Sequence, residues 1–293
     1  MGVPLIVALP GNEALVTRLA QALNAEVAVS EFRRFPDGES YVRIDTPVGG
    51  RSVVLVCTLD RPDEKFLMLM FAAATARELG AAKVGLVAPY LCYLRQDTRF
   101  KPGEAITSAI FARLVSSAFD WLVTIDPHLH RLPTLSSAYT IPSQVLHAAP
   151  LVARWIAGNV PRPFLVGPNE ESEQWVGKIA TECAAPFVVL KKRRLGDRVV
   201  EVSVPAVDHW RAHTPVLVDD IISSAGTMIQ AVSRIKPFAE RIVCIGVHAV
   251  FAAAAYENLM AARAQVITTN TILHETNAID VTSLLAEAIR SHP

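Results

Sequence analysis

The chain has 293 residues, which at about 150 residues per domain predicts two domains or one large α/β unit. Hydrophobic residues make up 51% of it and charged residues 19%, a balance that supports substantial cores and excludes a largely disordered chain. Basic and acidic residues both count 28, so the net charge is zero and no global basic field gathers nucleic acid. A polyanionic ligand must therefore be held by a local cluster of charges.

Membrane and secreted classes are also disfavoured. The longest near-apolar run, 67–76, is far shorter than the roughly 20 residues that span a bilayer, so no membrane partner is expected. The amino terminus has no basic leader and no convincing cleavage site, which disfavours secretion. The cysteines are widely spaced, without a CxxC pair, and predict reduced, mostly buried thiols in a cytoplasmic protein. They are Cys57, Cys92, Cys183 and Cys244.

Short β-branched runs alternate with longer helical patterns, which is typical of parallel sheets covered by helices. The first half predicts strands over 4–9, 52–58, 83–88 and 121–125. It predicts helices over 12–24, 63–80 and 103–117.

The second half repeats this alternation after a predicted hinge, the Pro-bearing, aperiodic stretch 139–150. It predicts strands over 164–166, 187–190, 215–218 and 242–247, and helices over 171–183, 226–235, 252–262 and 282–290. The fold class is therefore α/β, with domains 1–145 and 146–293, each a mostly parallel sheet flanked by helices. This division leaves the last helix, 282–291, able to pack on the N-terminal domain. Two units of similar length are compatible with a duplication.

The most informative segment is 216–227, which reads VLVDDIISSAGT. An apolar strand delivers Asp219 and Asp220 at its carboxyl end, where open α/β sheets bind ligands, and the helix start that follows attracts phosphate. Paired acids suit ribose hydroxyls or a magnesium ion. A capped helix after a strand is the plain structural alternative. The whole constellation favours a sugar-phosphate site made with Ser223, Ser224, Ala225, Gly226 and Thr227.

Two loops of the first half combine charges with an aromatic ring. In the turn RFPDGE, Phe35 can stack on a base, while Asp37 and Glu39 can accept hydrogen bonds. The alternative is an ordinary hairpin turn with Phe35 in the core. The second loop concentrates cations that can hold triphosphate oxygens, although a solvated loop would also look like this. Its residues are Arg95, Gln96, Asp97, Arg99 and Lys101.

Two more segments follow predicted strands. In DPHLH, Asp126 and His128 can share one face, with His130 as an extra partner; zinc is possible, but a phosphate site favours magnesium. The basic turn 191–194 can stabilise charge on a transferring phosphoryl group or be a solvent-exposed loop. Neither a Walker-type nor a Rossmann-type glycine motif occurs.

In order and spacing, these motifs together resemble the ribose-phosphate pyrophosphokinase family, including its archaeal-type variants, over nearly the whole chain. The resemblance implies two phosphoribosyltransferase-like domains, an ATP side in the first and a ribose 5-phosphate side in the second. The active site would lie between them and be completed by another subunit of a homo-oligomer. The implied activity is Mg²⁺-dependent diphosphate transfer from ATP to ribose 5-phosphate, giving phosphoribosyl pyrophosphate for nucleotide biosynthesis.

The resemblance also implies roles for individual residues. It assigns ATP binding to Phe35, Asp37, Glu39, Arg95, Gln96, Asp97 and Arg99, and the metal–ATP position to Asp126 and His128. It makes Lys192 and Arg194 the catalytic stabilisers, and it assigns ribose 5-phosphate binding to Asp219, Asp220, Ser223, Ser224, Ala225, Gly226 and Thr227. His130, Lys191 and Arg193 receive no secure role.

Two positions depart from the family pattern. Ala225 adds a methyl group where glycine usually lets the backbone approach the phosphate. Asn169 stands where the family carries an aspartate linked to a second magnesium. Two alternatives therefore stay open: a phosphoribosyltransferase that consumes phosphoribosyl pyrophosphate, and a catalytically impaired regulatory homologue.

Overall fold

The computed structural model describes residues 3–129, 131–168, 172–194, 200–203 and 212–292, with only the backbone described at 174, 191–194 and 200–203. The chain divides into two compact units. The N-terminal unit comprises Met1–Leu146, Thr271–Leu273 and Val281–Pro293. The C-terminal unit comprises His147–Asn270 and His274–Asp280.

The N-terminal unit is built on a parallel sheet. Its strands are β1 (Leu5–Ala8), β2 (Glu26–Val27), β3 (Ser30–Arg34), β4 (Ser40–Ile44), β5 (Ser52–Val56), β6 (Lys83–Ala88), β7 (Trp121–Ile125) and β8 (Ser143–Leu146). Its helices are α1 (Glu13–Leu23), α2 (Pro62–Glu78), α3 (Thr107–Ala118) and α8 (Thr282–Ser291). Six strands pair in parallel in the order β2-β1-β5-β6-β7-β8, while β3 and β4 form a separate antiparallel hairpin.

The C-terminal unit has the same plan. Its strands are β9 (Pro163–Gly167), β10 (Phe187–Val189), β11 (Lys191–Arg194), β12 (Val200–Ser203), β13 (Thr214–Ile222), β14 (Ile242–Ala249), β15 (Ala264–Thr269) and β16 (Asn277–Ile279). Its helices are α4 (Ala149–Asn159), α5 (Glu173–Glu182), α6 (Gly226–Ile235) and α7 (Ala255–Ala261). The parallel sheet runs β10-β9-β13-β14-β15-β16, and β11 and β12 form the hairpin.

The two strand orders correspond one to one. In each unit the second strand pairs at the edge beside the first, a two-stranded hairpin follows, and the next strand returns to the other side of the first. The correspondence makes β13 the counterpart of β5, and the hairpin β11–β12 the counterpart of β3–β4. Because the carboxyl ends of parallel strands meet at one edge, each unit presents one edge where loops can build a site.

Two helices pack in one unit although each follows the last sheet strand of the other unit in the chain. The chain leaves β8 of the N-terminal sheet and forms α4, which packs on α5 and β16 of the C-terminal unit. After β16, the chain forms α8, which packs on α1, β7 and β8 of the N-terminal unit. Arg290 on α8 donates to the carbonyl of Ala22 at 2.6 Å.

Each unit has its own apolar core. In the N-terminal unit, buried residues of β5 and β6 pack against the buried face of α2, including Leu69 and Ala72. In the C-terminal unit, Phe164 and Leu217 pack against α6 through Met228. Burial of these apolar side chains is the main free-energy term that favours each sheet–helix layer.

The predicted α/β class is confirmed, with two mostly parallel sheets flanked by helices. The predicted hinge 139–150 contains the division between the two units, after Leu146, although β8 and the start of α4 also lie in it. Three other local expectations were wrong. The basic turn 191–194 is the strand β11, and the helix predicted from 103 begins at Thr107. The strand predicted over 215–218 continues to Ile222 as β13.

All four cysteines are free thiols, and Cys57, Cys92 and Cys244 are buried. Burial raises the pKa of the Cys57 and Cys244 thiols to about 12, so both thiols stay protonated and unreactive. Across the described residues, the helices are too short or too polar to cross a membrane.

Candidate active site

The C-terminal unit carries the predicted sugar-phosphate segment at the carboxyl edge of its sheet. Asp219 and Asp220 lie within β13, past the point where β13 stops pairing with β9, and Asp219 stands beside Gly246 of β14. Both acids are half-buried. The Asp219 carboxylate accepts from the backbone N–H of Asp220 at 3.1 Å, and the Asp220 carboxylate accepts from Ile221 N–H at 2.8 Å. Their carboxylates are thereby oriented by the strand that carries them.

The loop after β13 turns sharply into α6. Ala225 precedes the helix with φ 56° and ψ 8°, a left-handed conformation that favours glycine. Its carbonyl accepts from Ile229 N–H at 2.8 Å, and its methyl group is buried in the core. Ser224 and Gly226 are exposed. The loop thus presents small residues and helix-start N–H groups, which is an arrangement suited to a phosphate.

A second loop, after β14, supports this one. Phe251 donates its backbone N–H to Ile222 O at 2.8 Å, and Ala252 donates to Ser223 O at 3.1 Å. Phe251 itself has φ 34° and packs its ring 4.6 Å from that of His274, centroid to centroid. This support was not predicted from the sequence, where 252–262 was assigned to a helix that in fact begins at Ala255.

Lys192 and Arg194 lie on β11, which pairs antiparallel with β12 through Lys192–Val202 and Arg194–Val200. Both therefore belong to a hairpin of the C-terminal unit. Asn169, the departure from the family pattern, lies outside the described residues, as does His130.

In the N-terminal unit, the predicted base-stacking turn connects β3 and β4. Phe35 accepts at its carbonyl from Gly38 N–H and donates to Glu39 O, at 2.9 and 2.8 Å. The Asp37 carboxylate accepts from Glu39 N–H at 3.2 Å. Phe35 is 40% exposed, so the alternative that places its ring in the core is wrong.

Two residues of the hairpin hold this ring. The Arg33 guanidinium lies 4.6 Å from the centroid of the Phe35 ring and 4.1 Å from that of Tyr41. Phe35 and Tyr41 meet edge to face at 5.9 Å. A cation between two rings fixes them by cation–π attraction. The turn is also fastened to α2, because Arg34 donates to the carbonyls of Gly38 and Glu64.

The predicted cationic loop lies between β6 and α3. Glu104 organises it: its carboxylate accepts from the N–H groups of Phe100 and Lys101 at 2.9 and 3.1 Å, and its carbonyl accepts from Arg99 Nε at 3.0 Å. Arg95 and Arg99 are exposed, and Gln96 is half-buried. Glu104 therefore holds the loop by hydrogen bonds within the loop itself, while Arg95 and Arg99 stay exposed to solvent.

Asp126 and His128 directly follow β7. Asp126 is buried with φ 35°, and its N–H donates to Leu146 O at 2.9 Å; His128 is half-buried. Arg131, which no motif predicted, joins this segment to the cationic loop by donating from Nη1 to Asp97 Oδ1 at 3.0 Å. This pair is a direct hydrogen-bonded link between Asp97 of the cationic loop and Arg131, which follows β7.

The donor chemistry fits magnesium better than zinc. Within the described part of the chain, no group of three or more histidine, cysteine, aspartate or glutamate side chains could hold a metal by itself. Mg²⁺ needs only one or two carboxylates, because water and substrate phosphates supply its other ligands. Asp126 in one unit, and Asp219 and Asp220 in the other, offer carboxylates of this kind.

A parallel sheet whose central strand carries two acids into a small-residue helix start defines a phosphoribosyltransferase-type unit; the C-terminal unit has these features, and the N-terminal unit repeats its strand order. Residues 5–118 match the sequence model of the N-terminal domain of ribose phosphate pyrophosphokinase, and 141–284 match that of the phosphoribosyl transferase domain. The chain belongs to the ribose-phosphate pyrophosphokinase family.

Individual relatives agree with this assignment. The chain is 34% identical to the ribose-phosphate pyrophosphokinase of Methanopyrus kandleri, covering 94% of each chain. It is 33% identical to that of Sulfolobus acidocaldarius, over 93% of this chain and 95% of the relative. Its fold matches a crystal structure of phosphoribosylpyrophosphate synthetase from Mycobacterium smegmatis with a TM-score of 0.84, at 22% identity and over 98% of both chains.

Proposed function

We propose that the protein transfers the β,γ-diphosphoryl group of ATP to the 1-hydroxyl of ribose 5-phosphate. The hydroxyl oxygen attacks the β-phosphorus, and the bond from that phosphorus to the α,β-bridging oxygen breaks. AMP leaves with the bonding electron pair, and the hydroxyl proton is lost to solvent. The products are phosphoribosyl pyrophosphate and AMP.

The observation that carries this proposal is the difference between the two matching sheets. The C-terminal unit has two acids on β13 and then Ser224–Ala225–Gly226 at the start of α6, whereas the N-terminal counterpart at the start of α2 reads Asp60–Arg61–Pro62. Pro62 removes a backbone N–H, and Asp63 and Glu64 place negative charge at the helix start. One unit is thus suited to a sugar phosphate, and the other offers an exposed ring and a cationic loop that suit a nucleotide.

In this mechanism the residues position substrates and offset charge. Asp219 and Asp220 orient the ribose hydroxyls, and the helix start of α6 holds the 5-phosphate. Phe35 stacks on adenine, while Arg95, Gln96 and Arg99 hold the triphosphate. Lys192 and Arg194 stabilise the charge on the transferring group.

Mg²⁺, held at Asp126 and His128 together with ATP, would neutralise the phosphate charge that repels the attacking oxygen. The homo-oligomer with a shared active site and the cytoplasmic location belong to the same proposal, as implied by the family resemblance. The exposed apolar residues on α2 and α3, Leu67, Phe71, Ile110 and Leu114, support self-association.

The direct test incubates purified protein with ATP, ribose 5-phosphate and Mg²⁺, and follows AMP and phosphoribosyl pyrophosphate by chromatography and ³¹P NMR. We expect equal amounts of the two products. Asp220→Asn should abolish most of the activity, whereas Glu182→Gln, on the exposed end of α5, should retain it. Release of pyrophosphate from phosphoribosyl pyrophosphate and a nucleobase, without AMP formation from ATP and ribose 5-phosphate, would establish the transferase alternative. Binding of ATP with no AMP under any divalent metal would establish the impaired homologue.

A further inference from the structure

A single residue pair ties two loops of the N-terminal unit together. Arg131 uses Nη1 to donate to Asp97 Oδ1 at 3.0 Å, and its backbone N–H donates to Asp97 Oδ2 at 3.1 Å. The Asp97 side chain is only 1% exposed, whereas that of Arg131 is 50% exposed. Both oxygens of this carboxylate are therefore used inside the protein.

The charge state of Asp97 agrees with this geometry. Burial alone would raise the pKa of its carboxyl group, but the hydrogen bonds and positive charge of Arg131 outweigh burial and hold the pKa below its ordinary value. Charge-assisted hydrogen bonds of this kind are about twice as strong as neutral ones. Asp97 is therefore ionised at neutral pH, and its ion pair with Arg131 links the two loops there.

Arg131 contacts two residues of the cationic loop. One is Asp97; the other is Phe100, whose ring centroid lies 5.2 Å from the Arg131 guanidinium carbon. Phe100 is held in turn by the carboxylate of Glu104. Because the rest of the loop closes on itself through Glu104, Arg131 is a specific link from this loop to the segment that begins at Asp126.

We propose that Arg131 is a positioning residue for the ATP site, acting through Asp97. By holding Asp97, it sets the position of Arg95, Gln96 and Arg99 relative to Asp126 and His128. Phosphate-binding cations and metal-binding groups act on the same triphosphate, so a shift of about 1 Å between them weakens both. The inference rests on the proposed function, and it makes Asp97 an anchor of the loop rather than a ligand of ATP.

A double-mutant cycle distinguishes this role from direct contact between Arg131 and ATP. If Arg131 acts through Asp97, then Arg131→Ala and Asp97→Asn remove the same link, and the double variant loses no more than either single one. If Arg131 binds ATP directly, the two losses multiply. Arg131→Lys keeps the charge but not the planar fork, so its loss should be smaller.

A matched control is present in the same unit. Arg77 on α2 pairs with Asp120 at 3.1 Å between Nη2 and Oδ2, but it does so before β7, at the amino end of the strands. Arg77→Ala therefore removes an Arg–Asp pair, with side chains 39% and 38% exposed, far from the loops under test. Its effect on the melting temperature measures what loss of an Arg–Asp pair costs the fold.

The experiment measures the Kd of ATP by calorimetry, together with KM and kcat. We expect Arg131→Ala and Asp97→Asn each to weaken ATP binding roughly tenfold, or about 1.4 kcal/mol, with the melting temperature no lower than that of Arg77→Ala. An ATP Kd for Arg131→Ala equal to that of Arg77→Ala overturns the proposal, as do multiplicative losses. Wild-type protein that binds ATP but forms no AMP overturns the proposed function alone, since the Kd values still test the link.

Discussion

Arg61 and Ala225 occupy equivalent positions in the two units. Each has left-handed backbone, with φ 49° for Arg61 and 56° for Ala225, and each immediately precedes the helix that follows the matching strands β5 and β13. The residue before the helix is thus left-handed in both units, whereas its side chain differs between them. Since no glycine is present at either position, both carry the strain of a side chain in this conformation.

Glycine at these two positions should affect stability differently. Left-handed backbone costs an L-residue roughly 1–2 kcal/mol, and substitution by glycine removes this cost. Glycine also gives the unfolded chain more conformational entropy, which destabilises the folded state by about 0.5–1 kcal/mol and so cancels part of the gain. Arg61→Gly should therefore raise the free energy of unfolding by about 0.5 kcal/mol. Ala225→Gly also loses a buried methyl group worth about 0.8 kcal/mol, so its net effect should be near zero. Urea unfolding of both variants measures the difference, and equal shifts would contradict this account.

The same pair separates backbone strain from phosphate binding. Ala225→Gly gives the backbone of the proposed phosphate loop more conformational freedom and should lower the KM for ribose 5-phosphate, whereas Arg61→Gly should leave this KM unchanged. Steady-state kinetics with varied ribose 5-phosphate tests both. A KM that moves in the Arg61 variant would show that the N-terminal loop also takes part in binding sugar phosphate.

Most central strands were predictable because they are apolar and β-branched, as in β5 and β14. Two of the strands that were missed, β8 and β11, lack this signal. The four residues of β11 are all basic, and β8 lies in a segment broken by prolines; both form because a partner strand pairs with them. The length of β13 was underestimated for a related reason, since its acidic residues are held by pairing with β14 rather than by their own β propensity.

The candidate site could be predicted only where its motifs are continuous in sequence. The segment 219–227 and the turn 35–39 were proposed in this way. Arg131 was missed because its partner Asp97 is 34 positions away, and a single arginine in a loop has no local signature. Arg33 was missed because its function is visible only when Phe35 and Tyr41 are seen on either side of it.

Arg33 should contribute to ATP affinity by holding Phe35. Each cation–π contact at an exposed site is worth about 0.5–1 kcal/mol, so Arg33→Ala should raise the KM for ATP roughly two- to fivefold while leaving kcat nearly unchanged. Arg43→Ala is the control, because Arg43 pairs with Glu31 and Asp45 on the same hairpin without meeting Phe35. If both variants have the same KM for ATP, the contact of Arg33 with Phe35 has no role in ATP binding.

Lys192 should act on turnover rather than on substrate affinity. A cation that meets the charge developed during transfer lowers the barrier more than it stabilises bound ATP. Lys192→Ala should thus reduce kcat by at least roughly a hundredfold, or about 2.7 kcal/mol, and change the Kd of ATP far less. Lys178→Ala, on the exposed face of α5, serves as the control. Equal losses in kcat and ATP affinity would remove Lys192 from its proposed role.

The outer face of α2 should contact a second copy of the chain. Leu67 and Phe71 are 61% and 47% exposed and lie one turn apart, and α3 exposes Ile110 and Leu114 with the same spacing. Exposed apolar patches of this kind mark interaction surfaces. Phe71→Glu should shift the protein to a smaller species in sedimentation velocity, whereas Leu79→Glu, exposed beyond the end of α2, should not. Wild-type protein that sediments as a monomer would contradict the expectation.

His292 should make the attachment of α8 sensitive to acid. Its ring stacks on Trp121 at 4.7 Å, and Trp121 packs so closely on Gly85 that a Cβ there would lie 2.0 Å from the indole. Burial, and then the charge of Lys83, lower the pKa of His292 below its ordinary 6.5. Folding therefore favours the neutral ring, so its stabilising effect is complete above pH 6.5 and is lost as the pH falls through the folded-state pKa. His292→Phe keeps the stack without a titrating group, and its melting temperature should fall less on acidification than that of wild type. If the melting temperatures of the two proteins fall equally with pH, protonation of His292 does not weaken its stacking on Trp121.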